Sequence, residues 1–299
     1  MDEFITPDRI ANSIMQDTND SKYYLLIEGV KDLNVYPQFF NKELIEPKVT
    51  FGKYKMRDVW EILEGRGFTD KIAIRDADFI RVRGNYQEDF HPNFFITDTH
   101  DSEGMIVKTP TFEKVLEQML GLERKQTLME KFPNLKCHIK DLAYKVGCLK
   151  LANKLDRLGL VFKPQKANGK KLDFTKFVDV KSFTFIDDTA LIQTAINYSI
   201  NKVEDKGSIK TQEEIHSSLE KVIALDFPID EIVHGHDLSE LTYILIRKHL
   251  KINNDMVNSG DNIEKLWAMS YDSMYFKKSE LYTKIDDFTK QKDLGILLV

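Results

Sequence analysis

Over the first hundred or so residues, short apolar runs alternate with amphipathic stretches. Residues 23–27 (Tyr-Tyr-Leu-Leu-Ile) form an unbroken apolar and aromatic run, the pattern of a strand covered on both faces. Residues 48–52, 72–79 and 93–97 predict three more strands. Between them, 32–41 carries Leu33, Tyr36, Phe39 and Phe40 at helical spacing, and 57–64 carries Val59, Trp60, Ile62 and Leu63. Both predict helices. An earlier helix is predicted over 6–17, with Thr6 as its cap and Pro7 in its first turn. This alternation predicts a mostly parallel sheet with helices on its faces.

Past residue 111 the period changes to that of helices alone. Helices are predicted over 111–131, 138–158, 187–204, 211–224, 237–251 and 278–290. Thr211 with Glu214 and Asp237 with Glu240 have capping-box spacing, and Asp187 and Asp188 precede an amphipathic run. Residues 172–174 and 177–185 read as short strands or extended loops. The expected architecture is α/β: a sheet-containing domain over 1–120, then a mainly helical domain over 121–299, with a soft boundary near 110–125.

Composition narrows the function classes. At 42% hydrophobic and 30% charged, the 299 residues have ordinary globular proportions. A formal net charge of −5 gives no global attraction for polyanions, so a nucleic-acid site has to be a local patch. Cys137 and Cys148 are the only cysteines. They are too few for a disulfide framework and lack zinc spacing, and both read as small buried hydrophobes in a reducing compartment. Trp60 and Trp267 read as core. The acidic opening Met1-Asp2-Glu3 is unlike a signal peptide, and no run reaches the roughly 18–20 apolar residues of a membrane span. A cytoplasmic location without membrane contact is expected.

Carboxylates then change the picture. Glu28 follows the first strand, Asp76 and Asp78 follow the third, and Asp98, Asp101 and Glu103 follow the fourth. On an extended chain Asp76 and Asp78 point to the same side. An isolated pair of this kind is explained as well by solvated loop residues or helix caps. Three strand ends delivering acids to one edge is not, because ligands of parallel sheets bind at that edge. Such a set suits a divalent metal with oxygen ligands. The spacing leaves open which of Asp98, Asp101 and Glu103 faces it.

Two further stretches stand out. Between Arg124 and Lys181 there are fifteen Lys and Arg against five Asp and Glu. Lys163, Lys166, Lys170 and Lys171 cluster there around the turn pair Asn168-Gly169. This is either a solvated face or a phosphate-tracking surface. His234-Gly235-His236-Asp237 enters a predicted helix with Asp237 as its N-cap. The same loop could seat a phosphate, with His236 in proton transfer.

The motifs Ile27-Glu28-Gly29-x-x-Asp32, Arg75-Asp76-Ala77-Asp78-Phe79, Thr97-Asp98-x-His100-Asp101-x-Glu103 and Gly235-His236-Asp237-Leu238 together resemble a toprim-domain family. The toprim module occurs in topoisomerases, primases and the overcoming-lysogenisation-defect (OLD) nucleases. The resemblance is strongest to the toprim effectors of the PARIS anti-phage defence systems, which are encoded beside an ABC-type ATPase. It implies a Mg²⁺-dependent nuclease, with Mn²⁺ as a substitute. Glu28 would be a metal ligand or general acid/base, and Asp76 and Asp78 the metal-binding pair. Asp101 and Glu103 would match the additional acidic cluster of OLD-type enzymes. It also implies a toxic effector that cleaves tRNA, is held inactive by its ATPase partner, and acts as a homodimer once released. Two other readings fit parts of the pattern: a non-catalytic toprim-like subunit of an ATPase complex, and a transferase that uses the aspartate pair to hold a metal-nucleotide. The transferase has no use for Glu28 or the 97–103 cluster.

Overall fold

The apolar run at 23–27 forms β1 (Tyr23–Ile27), buried along its last four residues. It is a central strand of a four-stranded sheet ordered β2-β1-β3-β4, with β2 at Ile45–Val49, β3 at Lys71–Arg75 and β4 at Phe94–Ile96. All neighbouring strands are parallel. In register, Ile27 lies beside Ile74, and Arg75 beside Ile96. The residues after β1, β3 and β4 therefore leave the sheet at one edge. The fold class is α/β: a parallel sheet with flanking helices, and a helical region farther along the chain. The computed structural model describes residues 5–17, 22–84, 91–164 and 169–298.

Strand alternation sorts the core. Tyr24, Leu26, Ala73 and Phe94 point to one face, where Ile10, Ala11 and Ile14 of α1 (Pro7–Met15) and Met56, Val59, Trp60 and Leu63 of α2 (Lys53–Gly65) cover them. Thr6 caps α1 as expected, accepting from the Arg9 N–H at 3.3 Å. Elsewhere on the sheet Phe95 meets Phe288 of the helix Glu280–Gln291, with ring centroids 6.0 Å apart. Phe39 stacks on Phe276 at 4.2 Å. Trp60 and Trp267 are buried.

Several elements depart from the sequence pattern for identifiable reasons. The helix expected over 32–41 is two short 3₁₀ turns, Val30–Asn34 and Pro37–Phe39, because Pro37 cannot donate to a continuing helix. The second strand begins earlier than 48 and contains Pro47, which is tolerated because β2 is an edge strand. The helix expected over 111–131 breaks into Thr111–Leu120 and Leu122–Lys131 at Gly121, whose φ is +76°. The helix placed at 237–251 starts at Gly235, ends at Ile244 and continues as a π turn, Leu245–His249. A helix at Gly260–Ser270 had no distinct signal. Cys148 is buried as expected, but Cys137 lies on the exposed side of its helix.

The described residues group into two compact units. One comprises Met1–Thr111 and Lys265–Val299, the other Phe112–Glu264. The sequence pattern instead ran the second region on to 299. In the first unit the tail returns to the sheet end of the fold: Leu297 bridges Phe40, and the Asn41 N–H donates to the Ile296 carbonyl at 2.8 Å. In the second, the long helix Leu135–Asp156 carries more buried positions than any other helix, and Gln212–Ile223, Ile229–Ile232 and Gly235–Ile244 pack against it. No helix among the described residues is long and apolar enough to cross a membrane.

Gly147 fixes one of those helix contacts. A Cβ there would lie 2.3 Å from the Ile232 carbonyl oxygen. Gly147→Ala is therefore expected to lower stability by roughly 1–3 kcal/mol, as overpacking does, although alanine is the better helix former by about 1 kcal/mol. Denaturant unfolding followed by circular dichroism measures the net effect. A variant more stable than the parent would mean that the two helices are not in fixed contact.

Candidate metal centre

The carboxylates converge because three parallel strands end together. Glu28 follows β1, and its Oε1 accepts from the Asp76 N–H at 3.2 Å, just past β3. Arg75 Nε lies 3.9 Å from the same oxygen. Asp76 Oδ1 accepts from the Ser102 N–H at 3.1 Å. Ser102 opens α3 (Ser102–Lys108), so Asp76 sits at the positive end of a helix. Asp101 caps that helix, accepting from the Gly104 N–H at 2.9 Å. Glu103 is in its first turn, with Oε2 3.3 Å from the Ser102 hydroxyl. Thr97 ties the two loops together: its Oγ1 accepts from the Ala77 N–H at 2.9 Å and donates to the Thr99 carbonyl at 2.8 Å. Gly104 permits the close approach, since a Cβ there would lie 2.7 Å from Thr99 Oγ1.

Asp78 is placed differently from the expectation. β3 ends at Arg75, so the alternation of an extended strand does not reach Asp78. Its φ of +48° is left-handed, a conformation aspartate adopts more readily than most residues. Its N–H donates to the His100 carbonyl at 2.7 Å. Its Oδ2 pairs with Lys53 Nζ at 2.5 Å, and Oδ1 lies 3.9 Å from His100 Nε2. Lys53, the first residue of α2, carried no sequence signal.

The choice among the three acids after β4 is narrowed by their partners. Both oxygens of Asp98 accept from the helix Glu280–Gln291, from the Glu280 and Leu281 N–H groups at 2.8 Å each. Asp98 is thus a helix cap, beside a cavity of about 410 Å³ lined by Met105, Lys108, Tyr271, Tyr275 and Lys278 among others. Asp101 caps α3 with one oxygen. Asp101 and Glu103 both act on Asp76 through their charge, Asp101 the more strongly.

Burial sets the electrostatics. Glu28 is pushed up to about 7, first by loss of water and then by the charge of Asp78, with Arg75 opposing. Asp76 is raised well above the usual carboxylate range, first by burial and then by Glu28, Asp32, Asp101 and Glu103. Asp32 joins the group from the turn after β1, where its Oδ2 accepts from the Gly29 N–H at 2.8 Å. Carboxylates raised in this way are short of positive charge, which Arg75 and Lys53 supply only in part. A hard divalent cation with oxygen ligands is the species whose charge and donor preference answer that need. Glu28 and Asp76 are the candidate ligands for such an ion; Asp101 and Glu103 act on Asp76 through their charge, and Asp78 acts likewise on Glu28. Tyr36, read from the sequence as core, is another member. It is 2% exposed, and its hydroxyl has no hydrogen-bond partner.

The remaining candidates lie in the unit Phe112–Glu264. His234, not Asp237, holds the cap position of the helix Gly235–Ile244. Asp237 lies inside the first turn and forms a buried ion pair with Lys150 at 2.6 Å. His236 is half exposed, and its Nδ1 lies 2.7 Å from Glu264 Oε1. That oxygen also accepts from the Ser239 hydroxyl at 2.8 Å. Glu264, buried and distant in sequence, orients the imidazole and left no signal of its own.

The basic stretch is largely balanced within the same unit. Lys125, Lys136, Lys140, Lys145, Lys150 and Lys171 pair with Glu117, Glu113, Asp230, Asp188, Asp237 and Asp261. Every one of these acids lies outside the basic stretch, so a local excess in sequence becomes ion pairing in three dimensions. Lys163 and Lys170 are exposed, Lys171 shares its charge with Asp261 at 2.8 Å, and Lys166 lies outside the described residues. Compared with known proteins, the sequence matches no protein-family model and no curated protein.

Proposed function

We propose that this chain is a metal-dependent phosphodiester nuclease of the toprim type. The observation that carries this reading is the convergence of Glu28 and Asp76 at the carboxyl edge of a parallel sheet, with Asp76 raised by burial and by Glu28, Asp32, Asp101 and Glu103, and Glu28 raised by burial and by Asp78. Glu28 and Asp76 would hold Mg²⁺ or Mn²⁺, with Asp78, Asp101 and Glu103 as the further acids around it. When bound, the ion polarises a phosphodiester and favours ionised water at neutral pH. The chain's own part is positional. Arg75 and Lys53 offset the negative charge, and α3 aims its N-terminal N–H groups at Asp76. Thr97 locks the two carboxylate-bearing loops together. Glu28, poised near neutrality, suits proton transfer as well as ligation.

The motif resemblance extends the proposal. The nuclease is a toxic anti-phage effector of the cytoplasm, cleaves tRNA, is restrained by an ABC-type ATPase, and works as a homodimer after release. His236, oriented by Glu264, is the proton-transfer candidate of the other unit. Lys163 and Lys170 are its exposed contacts for phosphate.

The test is cleavage of labelled total tRNA, supercoiled DNA and linear DNA by the purified protein. Each substrate is run with Mg²⁺, with Mn²⁺ and with chelator, beside Glu28→Gln. Cleavage of tRNA alone, lost with chelator and in the variant, is the expected result. Nicking of DNA would keep the nuclease and remove the tRNA assignment. Inactivity toward every substrate, persisting after any bound ATPase is stripped away, would leave a binding subunit as the better description.

A further inference from the structure

Tyr36 lies where a core tyrosine would ordinarily find a partner. It follows the turn Val30–Asn34, and its backbone N–H donates to the Asp32 carbonyl at 3.0 Å. The residue is 2% exposed, and its hydroxyl makes no hydrogen bond. A buried hydroxyl without a partner destabilises a fold, and phenylalanine would fill the same space without that cost. The charges that act on this hydroxyl come from Asp32, Asp76, Tyr271 and Glu103. Three of the four are acids of the carboxylate group. A phenol is a strong donor, and each of these acids is an acceptor.

We propose that Tyr36 is a positioning residue whose hydroxyl donates to a carboxylate of the Asp76–Glu103 group and orients it when a divalent cation draws that group together. The inference rests on the metal-dependent reading above. It explains why a hydroxyl is kept in a buried place where the cation-free fold gives it no partner. Residues that hold metal ligands from outside in this manner typically change affinity 10- to 100-fold when lost.

Tyr36→Phe removes one oxygen and leaves the ring, so packing is preserved. Two readouts on the full chain, neither of them activity, test it. The first is thermal unfolding with chelator present. The variant is expected to melt at the parent's temperature or roughly 2–4 °C above it, because an unpartnered polar atom has been removed. The second is calorimetric titration with Mn²⁺ alone, in which the variant should bind about 10- to 100-fold more weakly than the parent. Affinities within twofold of each other would overturn the role of Tyr36 and leave the nuclease reading standing. A chelated variant that melts several degrees lower would also overturn it, since the hydroxyl would then have a structural partner. A parent that binds no Mn²⁺, by heat or by melting shift, would sink both.

Discussion

Replacing Asp76 with Asn is expected to abolish metal-dependent cleavage and at the same time raise the melting temperature of the metal-free protein. Asn keeps the shape of the side chain and an oxygen that can accept from the Ser102 N–H, a bond of 3.1 Å in the parent. What it loses is the charge. Asp76 is held well above the usual carboxylate range by burial and by Glu28, Asp32, Asp101 and Glu103, so its ionised form is disfavoured in the folded protein. Removing the charge relieves repulsion and should raise the melting temperature by roughly 2–4 °C for each kcal/mol gained. Removing a ligand should lower cleavage by about 10³-fold, the equivalent of roughly 4 kcal/mol in the transition state. The two effects have opposite signs, as expected where a site is destabilised in order to bind. Scanning calorimetry with chelator and the cleavage assay measure them separately. A variant that melts lower would show that the Asp76 charge is already neutralised within the fold.

The second large effect is on pH. Glu28 sits near 7 in the folded protein, against about 4.3 for an unperturbed glutamate. Below the unfolded value both states are protonated, and the contribution of Glu28 to stability is complete. As pH rises toward 7 the unfolded chain ionises while the folded chain keeps its proton, so stability falls. Above 7 both are ionised and the fall stops. The loss is on the order of 3 kcal/mol, and Glu28→Gln should flatten that part of the profile. Denaturant titrations at intervals from pH 4.5 to 8, with chelator, record it. Cation binding should run the other way, because ligation needs the carboxylate. Through Glu28 alone, apparent Mn²⁺ affinity should climb about tenfold per pH unit below 7, and more steeply wherever Asp76 must also give up its proton. Binding at pH 6 should release a proton, seen as a heat that changes with the buffer. A profile flat from pH 5 to 8 would mean that Glu28 is not a ligand.

The sheet was legible because its signal is local. Runs such as 23–27 and 72–74 are apolar throughout, and only strands covered on both faces read that way. Their order and common direction followed from the alternation with helices, and the shared edge for Glu28, Asp76 and Glu103 followed from that direction. Residues whose role depends on distant partners were not legible. Asp98 has the appearance of a ligand in sequence, yet it caps a helix that begins 182 residues later. Lys53 joins the carboxylates by its ion pair with Asp78, and Tyr36 through the charges of Asp32, Asp76 and Glu103, and their neighbours in the chain gave no hint of it. Asp78 was misjudged because the strand stops three residues before it and a left-handed residue resets the direction. The pairing of the basic stretch was hidden for the same reason: the counter-charges of six of its lysines are contributed from elsewhere in the chain.

The return of the tail to the sheet has a consequence for how the protein is made. Residues of Phe112–Glu264 are contiguous, so that unit can close as soon as it has emerged from the ribosome. The other unit cannot, because Lys265–Val299 belongs to it. Phe95 has no Phe288 to cover it, and Asp98 has no helix to cap, until the segment 280–288 has been synthesised. The loop that carries Asp101 and Glu103 starts at Asp98, so its anchorage follows the contiguous unit. The order of folding therefore follows the path of the chain: the contiguous unit can be complete while the loop of Asp101 and Glu103 still waits for its anchor.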